Sequence, residues 1–146
     1  VIDADGLSAT LVANRVNNPA DVNSANLAVG DKHEAVYITR TADLKNPSGS
    51  IKLYFTGYRP PNTTIKVLYR VRPIGSTTPI EELGFNFFPT ANSEVPPTSE
   101  TQIFSEYEYE VSGLNFDQYQ IKVLFVSPNQ SLVPIIKDLR AIALAV

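Results

Sequence analysis

Residues 104–146 read FSEYEYEVSGLNFDQYQIKVLFVSPNQSLVPIIKDLRAIALAV, and this stretch decides the fold class. Tyr107, Tyr109 and Val111 alternate with Glu106, Glu108 and Glu110. In an extended strand that spacing puts rings and an aliphatic side chain on one face and carboxylates on the other. Ser112-Gly113 then marks a turn. Tyr119, Ile121, Val123 and Phe125 repeat the pattern against Gln120 and Lys122. Ser127-Pro128-Asn129 supplies a second turn before a last apolar stretch from Leu139 to Val146. Period-two patterning broken by Gly, Pro and Asn is that of antiparallel sheet.

The same reading extends toward the N-terminus. Ile51, Leu53 and Phe55 alternate with Lys52, Tyr54 and Thr56, and Ile65, Val67, Tyr69 and Val71 with Lys66, Leu68, Arg70 and Arg72. Strands are predicted at 7–16, 35–40, 50–58, 64–72, 83–88, 104–111, 119–126 and 134–145, a set that suits a two-sheet antiparallel β-sandwich. Residues 21–27 allow at most one helical turn. Asn17-Asn18-Pro19, 45–50 (KNPSGS), 59–62 (RPPN) and 90–100 read as loops. The expected core contains Leu53, Phe55, Val67, Tyr69, Ile121, Val123, Phe125 and Ile142. The row Lys66, Arg70, Arg72 is expected to face water or to pair with the row Glu106, Glu108, Glu110.

Composition narrows the function classes. A length of 146 residues is one domain's worth, and 43% hydrophobic with 18% charged residues is ordinary for a globular chain. The whole of 1–146 is therefore expected to be a single domain. Its lack of an initiator Met suggests one excised from a longer chain. With no Cys there is no disulfide, thiol nucleophile or thiolate metal site. No apolar run is long enough to span a bilayer as a helix. A net charge of −3 argues against a nucleic-acid partner, which calls for a basic face.

The search for chemistry returns little. His33, the single histidine, sits in the polar run Gly30-Asp31-Lys32-His33-Glu34 and is expected on a surface loop. No G-x-S-x-G elbow and no phosphate-cradling glycine loop occurs. The acids available for glycosidase work, Glu81-Glu82 and the Glu106 row, read as outer-face residues. The expectation is no enzyme, no cofactor and no metal. Asp3 and Asp5, in Asp3-Ala4-Asp5-Gly6, are the only calcium candidates, and the strand-like 7–10 that follows them does not continue as an EF-hand. Tyr54, Tyr58 and Arg59 are the candidates for stacking and hydrogen bonding on a glycan. In the last strand, Ile136, Ile142, Leu144 and Val146 share one face, and Leu139, Ala141, Ala143 and Ala145 the other. Such a strand is expected to be central or covered from both sides. Its end has no charged gatekeeper, which makes Ile142, Leu144 and Val146 the candidate interface.

Three motifs carry a resemblance over about half of the chain: Ser50-Ile51-Lys52-Leu53-Tyr54-Phe55; Gly57-Tyr58-Arg59-Pro60-Pro61 with 65–70 (IKVLYR); and the closing 119–123 (YQIKV), Val133-Pro134 and 136–144 (IKDLRAIAL). They resemble a domain that closes baseplate or tail-fibre-associated virion proteins of contractile-tailed phages, notably those infecting marine cyanobacteria. The resemblance implies a structural module working by protein–protein contact with other virion proteins or with itself. It implies a virion location, with synthesis in the host cytoplasm, and supplies no catalytic residues. The ending also resembles, in topology, galactose-binding-like jelly rolls. That likeness implies a jelly-roll sandwich and supplies the rival function, a carbohydrate-binding module recognising host-surface or polysaccharide glycan.

Overall fold

The computed structural model describes residues 2–3, 8–9, 17, 24–60, 62–89, 104–129 and 132–145. In chain order the strands are β1 Ile2–Asp3, β2 Ser8–Ala9, β3 Val36–Ile38, β4 Ala42–Tyr58, β5 Thr64–Pro73, β6 Asn86–Phe87, β7 Ser105–Val111, β8 Phe116–Val126 and β9 Ile135–Ala145. A 3-10 turn at Ile80–Glu82 precedes β6, and no α-helix occurs among the described residues. β1 and β2 pair antiparallel with each other. The other seven strands form one antiparallel sheet.

β4 organises this sheet. Its first half pairs β8 (Ala42↔Tyr119, Ser48↔Phe116). Its second half lies between β7 (Leu53↔Tyr109) and β9 (Leu53↔Ala141). Ser48 is the handover, opposite both Phe116 and Ala145. The KNPSGS stretch expected as a loop is therefore a bend inside a strand. Pro and Gly interrupt a ladder without ending the chain's extended course, and the register shifts between Asp43 and Ser48 accordingly.

The bend curls the sheet onto itself. Ile51, Leu53 and Phe55 of β4 and Tyr107 and Tyr109 of β7 meet Ile65, Val67 and Tyr69 of β5 and Ile121 and Val123 of β8 in one core. Six of the eight expected core residues are buried there. Phe55 stacks on Tyr107 and Tyr109 at centroid distances of 5.1 and 5.9 Å. Gly57 lies close beneath this stack, where a Cβ would stand 3.0 Å from the Tyr107 ring and the ring would have to give way. The turn after β7 places Gly113 at φ +75°, a conformation that favours glycine. The turn joins no hairpin, since β7 pairs β4 and β8 pairs β5 along its length.

The structure corrects several expectations. Phe125 is only half-buried, because it lies at the rim where the β5–β8 ladder runs out at Thr64↔Val126. Ile142 is 48% exposed rather than in the core. The cause is a bulge: between Tyr54↔Arg140 and Thr56↔Lys137, β9 carries one residue more than β4, and Asp138 takes φ 56°. The extra residue reverses the alternation. Ile136 joins Leu139, Ala141 and Ala143 against the core, and Ile142 and Leu144 turn outward. Asp138→Gly should therefore raise stability in urea unfolding, whereas Asp138→Val should lower it by about 1–2 kcal/mol. β9 is also not central, since it pairs only β4 among the described residues.

The expected partnership of basic and acidic rows does not occur. β7 lies beside β4, so Glu110 faces Lys52 at 4.0 Å. Arg72 instead pairs Asp117 on β8 at 2.9 Å. The strand expected at 83–88 is reduced to β6, with Phe85 and Phe88 buried in different clusters. Of the strand expected at 7–16, only Ser8–Ala9 lies within the described residues, and the loop at 90–100 lies outside them.

Candidate functional site

The outer face of β7–β4–β9 carries most of the residues selected from sequence. The two registers around β4 define its rows: Glu110–Lys52–Ile142, Glu108–Tyr54–Arg140 and Glu106–Thr56–Lys137. Tyr54 and Tyr58 are half-buried on this face. The Arg140 guanidinium lies 5.7 Å from the Tyr54 ring centroid. Tyr58 packs on Phe104 at 5.9 Å, and the Lys137 ammonium sits 4.3 Å over the Phe104 ring. The aromatic rings thus hold the two β9 cations at the surface. Arg59 lies half-buried just beyond β4, so it is separate from the row on which Tyr54 and Tyr58 stand.

Ile142 and Leu144, at 48% and 39% exposure, stand on this face at the β9 edge together with exposed Ile135. Val146 and Asp5 lie outside the described residues, as does the side chain of Asp3. No group of three or more potential metal ligands occurs among the described residues.

A second feature was missed from sequence. Alternation sets Lys122 on the face opposite Tyr119, Ile121 and Val123, yet it is 1% exposed. The outer side of β8 is covered by the segment 24–36 and by Phe85, and these enclose a small second core of Ala25, Leu68, Phe85 and Leu124. Within it Lys122 donates to the Ala25 carbonyl at 2.8 Å and forms an ion pair with Asp31. Its ammonium also lies 4.9 Å from the Phe85 centroid, and the Arg70 guanidinium lies 4.4 Å from the same centroid. Arg70 in turn donates to Gln120 Oε1 at 2.7 Å and to the Leu83 carbonyl at 3.2 Å. The His33 ring, expected on the surface, has only 2% of its side chain exposed and bonds Asp31 through Nδ1. A signal was present: in 121–126 (IKVLFV) Lys122 is the one polar residue, a run that suits a strand buried on both faces.

The polar groups of this cluster are largely committed to one another, so it works as a clasp holding 24–36 on the sheet. An open depression of about 520 Å³ lies above it, walled by Leu27, Val29, Ile38 and Phe85. Asn17 closes the far end of the segment, donating to the carbonyls of Ala35 at 3.0 Å and Phe125 at 2.9 Å.

The clasp should be acid-sensitive. Burial alone would raise the Asp31 carboxyl. Hydrogen bonds from Lys122 and from the backbone and ring of His33, together with the Lys122 charge, outweigh it and hold the group down at about 2. A carboxyl depressed on folding adds stability above its unfolded value of 3.8, and that contribution fades as pH falls from about 4 toward 2. Denaturant unfolding should show Asp31→Asn less stable than the parent chain by about 2 kcal/mol at pH 6, with the two converging near pH 2. A gap independent of pH would show that the carboxylate charge contributes nothing.

Against known proteins the chain returns no match: no family model, no curated protein and no solved structure aligns with it.

Proposed function

We propose that this domain is a non-enzymatic assembly module of a phage virion, a β-sandwich of jelly-roll type that self-associates through β9. The virion setting and the jelly-roll type rest on the sequence resemblances alone. The sandwich reading is supported by the packing of β4 and β7 side chains against those of β5 and β8. The observation that carries the assembly reading is the edge itself. β9 is 11 residues long and is paired on one side only among the described residues.

Protected edge strands carry charges, bulges or inward-turned polar groups. The first half of β9 has two of these devices, charges in Lys137 and Arg140 and the bulge at Asp138. The second half, 141–145, has none, and it exposes Ile142 and Leu144. An unguarded edge of this kind is a template for another strand.

Sedimentation of the domain over a range of concentrations tests the reading. Self-association is expected, and Leu144→Lys should return the chain to monomers with an unchanged far-UV CD spectrum. A monomer at millimolar concentration overturns it. A monomer that also binds on a glycan array would transfer the function to the aromatic face of Tyr54, Tyr58 and Phe104, the carbohydrate-binding alternative.

A further inference from the structure

We infer that the strand which covers β9 is β7 of another copy of this chain, so that copies join head to tail along the sheet; the inference rests on the assembly reading above. β7 and β9 both run antiparallel to β4 and so run parallel to each other. Each is an outermost strand of its half of the sheet among the described residues. A copy displaced along the sheet therefore brings its β7 alongside β9 in parallel.

Charge sets the choice of edge and the register. β9 presents Lys137 and Arg140, and β7 presents Glu106 and Glu108. None of these four has an ion-pair partner among the described residues. Through β4 they already share rows, with Glu106 in the row of Lys137 and Glu108 in the row of Arg140. Carrying those rows across the joint sets Lys137 beside Glu106 of the next copy and Arg140 beside Glu108. Ile142 then falls beside Glu110, whose own charge is engaged by Lys52 at 4.0 Å. The bulge at Asp138 is what allows this match, because it keeps Lys137 and Arg140 on the same outer face. A symmetric β9–β9 dimer would leave Glu106 and Glu108 uncompensated. A head-to-tail joint also repeats, closing into a ring or continuing as a filament according to the rotation per copy.

A charge exchange tests this. Glu106→Lys with Glu108→Lys makes both edges basic, and Lys137→Glu with Arg140→Glu makes both acidic. Each variant alone should associate more than tenfold more weakly than the parent chain, because every joint then opposes like charges. Mixed in equal amounts they should recover the parent's sedimentation, since each basic edge now meets an acidic one. If the Glu106/Glu108 variant associates as the parent does, or if mixing restores nothing, the head-to-tail joint is wrong while self-association stands. If the parent chain is monomeric, the assembly reading itself falls.

A second measurement does not depend on charge. The chain contains no Cys, so single substitutions report cleanly. Neighbouring strands lie about 4.8 Å apart, within reach of a disulfide. Ile142→Cys mixed with Glu110→Cys should cross-link faster under mild oxidation than either variant alone. Fastest cross-linking of Ile142→Cys with Leu144→Cys would establish the symmetric dimer instead and overturn the joint.

Discussion

Lys122→Ala should destabilise the domain by about 3–5 kcal/mol, a penalty set by what the substitution leaves behind. The lysine is buried, and its ammonium meets Asp31 and the Ala25 carbonyl while facing the Phe85 ring. Removal strands a carboxylate under the segment 24–36 and opens a gap in the small core beside Leu68 and Leu124. Replacing the pair by apolar residues of similar size, Lys122→Met with Asp31→Leu, should recover most of the loss, because neither charge then remains to be desolvated. Equilibrium urea unfolding of the two single variants and the double variant measures this directly. A loss below ~1 kcal/mol for Lys122→Ala would mean that the lysine reaches solvent and that the clasp is a surface contact.

Phe55→Ala should cost about as much, ~3–5 kcal/mol, by a different physical route. Phe55 is 1% exposed and carries no polar atom. Its ring lies nearly parallel to those of Tyr107 and Tyr109, with interplanar angles of 11° and 16°. Truncation removes buried apolar area and leaves a void between β4 and β7. The backbone of β4 cannot close this void, because β7 and β9 hold it from both sides. A fall in melting temperature of roughly 10–20 °C is expected for a domain of this size. Phe125→Ala is the internal comparison. That ring is half-buried at the rim, so the same chemical change should cost clearly less. Equal costs at the two positions would show that the core extends to the end of β8.

Faces were legible in the sequence, and neighbours were not. Alternation at Ile51, Leu53 and Phe55 and at Ile121 and Val123 says which side chains turn inward, because the period of two is a property of a single strand. It carries no information about which strand lies alongside. The acidic row of β7 thus ended up beside Lys52 and Tyr54 rather than beside the arginines of β5. A face count also assumes an unbroken ladder, and the extra residue at Asp138 sent Ile142 outward when parity with Ile136 had placed the two together. Lys122 was misplaced for a third reason. A strand's second face is solvated only if nothing later covers it, and here the cover comes from 24–36, far away in sequence. Tyr54, Tyr58, Ile142 and Leu144 could be selected from sequence because rings on a strand's polar face and unguarded apolar residues are local properties, and the register around β4 sets them on one face. The charge match between the two edges needed the registers.

The position of β4 also bears on how the chain is made. Its ladder partners β7, β8 and β9 all follow it in sequence. During synthesis Ile51, Leu53 and Phe55 therefore leave the ribosome well before any strand that pairs with β4. Folding must wait for distant segments, which makes it slow compared with a helical protein of equal length and leaves an apolar strand open to wrong partners meanwhile. A chain ending before β9 would lack one flank of β4 and would leave that side of its ladder unpaired until the strand arrives.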